Sequence, residues 1–344
     1  MRMAGLAVAV HTSPAAFDEL AAEWTGLLAR AAVDTVFLTP AYKRVWWRHL
    51  GHGDLLLLTV RDADGALFGL APLFITAQPD QGRVLQTVGC VEVSDYLDWI
   101  AARGEEEAVL TALLDFLASP AAPAWDCIDL CNIHRDSPTL RLLPAIAHRH
   151  GWRAETSVQD VCPVVDLPPT WEEYLELLRG KDRHELRRKT RRAEALEELR
   201  WYIVGPQHDL QAEIEDFMAL MAASSPDKAA FLTPPMRAFF HDLARAAFDA
   251  GWLQLSFLAL GEKKLAAYFN LVYKERVLVY NSGLDAGSDA GFGAGIVLTG
   301  YLIQHAIKSG YRAYDFLRGD ERYKYRFGGV DVTVHRLLVT RQQQ

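Results

Sequence analysis

The sequence predicts an α+β protein of two similar halves, each a mixed, mostly antiparallel sheet flanked by helices. Three observations lead there. A strand–turn–strand signal recurs at the same point of each half, at residues 55–75 and 253–273. Each pair is followed by a third strand, a helix and a short apolar strand. That last strand reads Cys127-Ile128-Asp129-Leu130 in one half and Ala313-Tyr314-Asp315-Phe316 in the other, each after an aromatic residue. An internal duplication with a period of roughly 185–200 residues accounts for all three, a spacing too long for a solenoid.

Composition agrees. At ~150 residues per domain, 344 residues suggest about two. Half the residues are apolar and 23% are charged, enough for a sizeable core and against disorder over most of the chain. Lys plus Arg is 36 and Asp plus Glu 44, so the net charge is 36 − 44 = −8. That balance argues against wholesale wrapping of nucleic acid but leaves room for a local basic patch. The longest apolar runs fall far short of the roughly 18 residues needed to span a bilayer. Residues 6–10 are brief and alternating, which reads as a first strand and not as a secretory leader. Four cysteines do not make a disulfide scaffold in a chain this long. Cys127 and Cys131 would share one face of a buried strand, and neither Cys90 nor Cys162 has neighbours that complete a zinc site. The expectation is reduced thiols, no metal and a cytoplasmic protein.

In chain order, helices are expected at about residues 14–31 and 40–50, then strands at 55–60 and 66–75 across the turn residues Asp62-Ala63-Asp64-Gly65. A strand at 84–91, a helix at 105–117 and a strand at 125–130 complete the first half. Pro163, Pro168 and Pro169 interrupt regular structure near residues 162–170. The boundary therefore divides 1–161 from 162–344. Thr170-x-x-Glu173 and Asp182-x-x-Glu185 have the form of capping boxes opening two helices. The second carries Lys181, Arg183, Arg187, Arg188, Lys189, Arg191 and Arg192, against only Asp182 and Glu185 in the same window. Leu186, Ala193 and Leu196 keep a narrow apolar stripe. The basic face is either simply solvated or a docking surface for an anionic substrate or partner. Strands at 253–260, 265–273 and 277–281, a glycine-rich loop, a helix at 295–309 and a strand at 312–317 follow.

The loop reads Asn281-Ser-Gly-Leu-Asp-Ala-Gly-Ser-Asp-Ala-Gly-Phe-Gly-Ala-Gly295. Glycines permit positive φ and close backbone approach, and the helix start presents unpaired N–H groups that attract phosphate. A P-loop needs Gly-Lys-Ser/Thr where this chain has Gly295-Ile296-Val297, and the GxGxG spacing is not the dinucleotide fingerprint. A strand, a glycine-rich turn, a helix and a neighbouring strand are what an acyl-CoA diphosphate site requires; a flexible surface loop is the plainer alternative. At the equivalent point the first half has Glu105, Glu106 and Glu107, which suit a helix dipole but repel a diphosphate. Only the second half is expected to hold the phosphorylated co-substrate, with Asn281, Ser282, Gly291, Gly293, Ala294 and Gly295 around it.

Residues 310–328, from Gly310-Tyr-Arg-Ala-Tyr-Asp to Tyr323-Lys-Tyr-Arg-Phe-Gly328, resemble the C-terminal signature of the CelD/BcsL-type branch of the GNAT acyltransferase superfamily. Ala71-Pro72-Leu73, Ser94-Asp95-Tyr96, residues 171–175 and the basic helix stand in the matching order, so the resemblance covers most of 35–330. It implies tandem GNAT-like domains, the first degenerate, acetyl-CoA or another acyl-CoA in the second, and kinship with Fem-type aminoacyl transferases. It also implies a link to cellulose or exopolysaccharide loci. The sequence departs from the usual Gln/Arg-x-x-Gly-x-Gly loop at one point, having Ser288 and Ala290 where Gln or Arg would stand.

Acyl transfer must deprotonate the acceptor, polarise the carbonyl oxygen and stabilise the departing thiolate. In the GNAT arrangement the thioester lies between two splayed strands, here 277–281 and 312–317. Asp320 is the candidate base or acceptor anchor and Tyr323 the candidate proton donor. Arg318, Glu321 and Lys324 are candidate grips on an anionic acceptor or cofactor group. Asp95 and Tyr96 of the first half would face the same cleft. Asp315 and Asp129, recurring at one place in each half, suit a structural role better than catalysis. The acceptor is expected to be a small molecule, a saccharide or a cell-envelope precursor. A Fem-type transferase gripping tRNA through the basic helix, and a binding module without catalysis, remain alternatives; the oligomeric state is open.

Overall fold

In the computed structural model, which describes residues 5–90, 93–285 and 293–341, the chain folds as two units. The first takes the chain as far as Asp160 and again from Val332; the second runs Val161–Asp331. The sequence division at 161/162 thus differs at the far end, where the last strand belongs with the first unit.

The first unit contains β1 (Ala7–His11), α1 (Ala16–Glu19), α2 (Ala21–Leu28), a 3-10 turn, α3 (Pro40–Leu50), β2 (Asp54–Arg61), β3 (Leu67–Gln78) and β4 (Gly82–Thr87). It continues through β5 (Ile100–Ala101), α4 (Glu106–Ala118), β6 (Cys127–His134) and α5 (Pro138–Arg149). β7 (Trp152–Asp166) then carries the chain into the second unit. There α6 (Trp171–Leu177), α7 (Gly180–Glu194), β8 (Leu199–Ile203), α8 (Leu210–Ser224), α9 (Pro226–Phe231) and α10 (Pro234–Asp249) precede β9 (Leu253–Leu260) and β10 (Lys263–Tyr273). β11 (Arg276–Leu284), α11 (Ala294–Lys308), β12 (Ala313–Asp315), α12 (Arg322–Arg326) and β13 (Val330–Arg341) close the chain.

Apart from β5, which pairs with β3 in the first unit, the two units share one strand order. In the first unit β1, β2, β3 and β4 pair antiparallel in order and β4 runs parallel to β6, which β13 flanks. In the second, β8, β9, β10 and β11 pair antiparallel and β11 runs parallel to β12, which the end of β7 flanks. Each unit thus receives its last strand from beyond its own repeat. The parallel contacts match in register: Val84↔Cys127, Leu85↔Ile128 and Gln86↔Asp129 in one, Arg276↔Ala313, Val277↔Tyr314 and Leu278↔Asp315 in the other.

Helical periodicity packs each parallel crossover. α4 buries Val109, Leu110, Leu113, Leu114 and Leu117 against the first sheet, and α11 buries Val297, Leu298, Leu302, Ile303 and Ala306 against the second. A fully buried Val, Leu or Ile contributes about 1.5–3 kcal/mol relative to exposure. On the other face of the second sheet, Phe269 and Tyr280 pack on Phe217 of α8 and Phe240 of α10.

Thr170 caps α6 as expected, accepting from Glu173 N at 3.2 Å. The second capping box does not form. α7 starts three residues earlier, with Arg179 and not Asp182 at its N-cap and no side-chain cap, and Asp182 is taken by Arg326 at 3.0 Å and Glu185 by Arg188 at 2.8 Å. The thiol expectation also needs correction. Cys90 and Cys131, Cα atoms 5.9 Å apart, form a disulfide, and Cys127 and Cys162 are free and buried. Parallel pairing of β4 with β6 brings the two together, a contact that cysteine spacing along the chain does not reveal.

Candidate active site

In the second unit β11 and β12 pair for three residues and then part. After Asp315 the chain stays with β7, Phe316 N donating to Pro163 O at 3.0 Å, and Leu317 takes φ 54°. β11 continues to Leu284, where β10 is the one strand paired with it among the described residues and Ser224 Oγ accepts from Leu284 N at 2.7 Å. Just past the parting, Val279 opposes Asn270 and Asn281 opposes Phe269, so Tyr280 is an extra, bulged residue. A bulge re-aims backbone groups and is frequent beside active sites. Among the described residues no strand pairs with the β11 edge that faces away from β10, where Ser282 O accepts from Lys228 and Leu284 N donates to Ser224.

At the head of this gap α11 begins without a side-chain cap, at Gly293 with φ 74°. A Cβ at 293 would meet the ammonium end of Lys189 of α7, and the left-handed φ strains any residue but glycine there. The helix terminus thus has an ammonium group beside it, itself 3.8 Å from Glu185. Positive partial charge from the first-turn N–H groups and Lys189 act together on any anion placed there. Gly293, Ala294 and Gly295 make up this helix start; Gly291 and the middle of the glycine-rich segment, 286–292, lie outside the described residues. Asn281 turns its side chain inward, Oδ1 accepting from Ser282 N at 2.8 Å. Ser282 is bound by Lys228, whose Nζ donates to its carbonyl at 2.5 Å and sits 3.3 Å from its hydroxyl. Burial pushes the Lys228 amine below its usual range, opposed by the charge of Glu321. Sequence reasoning missed Lys228, since nothing local distinguishes a lysine on a six-residue helix.

On the other side of the gap the loop after β12 is pinned from within. Lys324 is buried, donating to the carbonyls of Leu317, Arg318 and Gly319 at 3.1, 2.6 and 3.1 Å and pairing with Glu321 at 2.8 Å. This corrects its assignment as a ligand grip: its donors are spent on the loop. Glu321 and Asp320 are exposed on the rim and Arg318 is half-buried. Tyr323 lies largely buried, edge-on to Phe316 at 5.8 Å, in a narrow cleft with Leu186 and Ile296. Burial, then the neighbouring Tyr268 and Glu321, raise its phenol well above the ordinary value, so it holds its proton. Asp315 is structural: it accepts from Leu317 N at 2.9 Å and pairs with Arg276 at 3.0 Å. Its counterpart Asp129 is paired with Arg336 at 2.7 and 2.8 Å.

The matching gap in the first unit is filled. Beyond the Gln86↔Asp129 pair, the Cys90–Cys131 disulfide joins the two strands. The buried Lys43 donates to Val88 O. Asn132 Nδ2 donates to Ser94 O at 2.8 Å, and the Ser94 hydroxyl lies 2.9 Å from that of Tyr42. Asp95 and Tyr96 are 7% and 5% exposed, which corrects their expected place on a substrate wall. Glu106 and Glu107 occupy the first turn of α4, where α11 has none. No cluster of His, Cys, Asp or Glu among the described residues could hold a metal ion, and no helix there is long and apolar enough to cross a membrane.

Residues 180–325 match the family model of an acetyltransferase (GNAT) domain. Comparison with curated proteins gives no significant match. Among solved structures the chain is similar to FemX, at 12% identity and a TM-score of 0.67 over 96% of each chain. It is similar to L-PGS from Bacillus licheniformis, at 13% and 0.56 over 94% of this chain and 92% of that one. A tandem GNAT protein from the clavulanic acid biosynthesis pathway aligns at 11% and 0.51 over 99% and 100%. Identities this low show shared fold. Residues 180–325, all in the second unit, are thus similar to a GNAT acetyltransferase domain, in an α+β fold shared with a tandem GNAT protein.

Proposed function

We propose that the second unit transfers an acyl group from acetyl-CoA or a longer acyl-CoA to an amine or hydroxyl. The observation that carries this reading is the parting of β11 from β12 beneath the uncapped, Lys189-flanked start of α11. The residues fit a diphosphate there: a left-handed glycine, free helical N–H groups and one ammonium. Backbone N–H groups where β11 leaves β12 would serve the thioester oxygen, in which charge develops during attack. Asp320, exposed on the rim, accepts the acceptor's proton, and Tyr323 protonates the leaving sulfur. The C–S bond breaks as the new C–N or C–O bond forms. In this reading the chain is two GNAT-like domains, the first degenerate because its gap is filled. The resemblance of residues 310–328 to the CelD/BcsL-type branch favours a saccharide or cell-envelope acceptor and a cytoplasmic setting.

Titration calorimetry with acetyl-CoA and longer acyl-CoAs tests this. Binding is expected, weakened about tenfold or more in Lys189→Ala and abolished in Gly293→Trp. Failure of every acyl-CoA to bind removes the reading and leaves a binding module without this catalysis.

A second reading has one observation in its favour. Arg187, Arg188, Arg191 and Arg192 are exposed on α7, which suits a tRNA-borne aminoacyl donor of the Fem type. It predicts tRNA binding that falls steeply with salt and weakens when these four are neutralised.

A further inference from the structure

A second cationic feature lies at the opposite end of α7. Arg179, Lys181, Asp182, Arg322, Tyr325 and Arg326 line a groove of about 570 Å³. Four cations face one carboxylate, and that carboxylate is committed to Arg326 at 3.0 Å. The side chains of Arg179, Lys181 and Arg322 make no hydrogen bond or ion pair among the described residues. Of the acids nearest Tyr325, Asp331 takes its hydroxyl, Glu321 pairs with Lys324, and the exposed Asp320 lies outside the lining of the groove. The helix that opens into the groove has no side-chain cap, and the space beside Gly180 is open for 4 Å. Like charges gathered this closely repel one another, a cost that a bound anion relieves.

We propose that this groove is a binding site for a small phosphorylated ligand of the diphosphate class. Guanidinium groups at Arg179 and Arg322 offer paired donors to phosphoryl oxygens, and Lys181 and the helix start add charge between them. The concave form selects a compact anion over a flat bilayer, and the volume matches a diphosphate with an attached sugar. Asp182 and Arg326 also border the cleft of Tyr323, so a ligand anchored here has its far end beside the candidate proton donor. The site is distinct from the α11 terminus. Nine residues separate Gly180 from Lys189, about 13 Å along the helix. It stands whether or not acyl-CoA is the donor.

The test is calorimetry of the full chain with inorganic pyrophosphate at low salt. The variants are Arg179→Gln/Lys181→Gln/Arg322→Gln and, as the contrast, Lys189→Ala. The triple variant should bind about tenfold or more weakly at the groove with an unchanged melting temperature, since all three side chains are exposed. Lys189→Ala should retain that site. Absence of binding to the wild type, equal binding by the triple variant, or loss only in Lys189→Ala would overturn the proposal. So would binding of anionic phosphatidylglycerol vesicles, abolished by the triple variant, without binding of pyrophosphate.

Discussion

Charge alone makes Lys324 a natural grip for an anion, and burial gives it another task. Its ammonium is enclosed by three carbonyls and Glu321, so it holds the loop between β12 and α12 in shape. Lys324→Met should destabilise the protein by about 2–5 kcal/mol, because buried acceptors lose their donor. Denaturant melts measure this; wild-type stability in that variant would return the lysine to a ligand role. At this scale the sequence showed which residues carry charge but not which were spent. Asp95 and Tyr96 look exposed in Ser94-Asp95-Tyr96 and are buried, while Lys228 and Lys189 became prominent only when packing placed them at Ser282 and Gly293. Asp315 was legible, because a carboxylate recurring between apolar neighbours in both halves implies a fixed backbone partner.

The α8 helix crosses β11 at close range. A Cβ on Gly283 would stand 2.5 Å from Met221 N and 2.7 Å from the Leu220 carbonyl carbon, both backbone atoms that cannot rotate away. Gly283→Ala should therefore cost about 1–3 kcal/mol. Gly26 in α2 has open space around it, so Gly26→Ala should be neutral or stabilising by up to about 1 kcal/mol. Thermal melts of the two variants compare them directly, and equal melting temperatures would contradict the packing described. Most strands were legible because turn residues bound each apolar run of the hairpins, and α11 because its apolar positions recur at helical spacing. The start of α7 was misjudged: Asp182-x-x-Glu185 has the spacing of a box, but a distant arginine competes for its carboxylate. The bulge at Tyr280 and the exchange of β7 and β13 depend on pairing partners far along the chain, which local pattern does not encode.

Across the whole molecule, the two repeats share register and differ in what stands beyond it. The first unit closes its gap with the disulfide and Lys43, at a cost in buried charge. Burial brings the Lys43 amine down to about 7 from 10.5, so between those values the unfolded chain binds more protons than the folded one. Stability should rise with pH across that window. Burial, opposed by Ser137 and Thr139, raises the Asp98 carboxyl to about 6 from 3.8, so stability should fall as pH rises through that lower range. Melting temperatures from pH 7 to 10 should climb in the wild type and stay flatter in Lys43→Met; matching slopes would contradict a buried, destabilised amine. The second unit leaves the same gap open, which is the basis of the transferase assignment. Hydrogen–deuterium exchange with and without acetyl-CoA tests this difference most directly. The account predicts slowed exchange in residues 279–284 and 293–298 and none in 84–90 or 127–132. Protection of the first unit's strands, or of neither set, would contradict it.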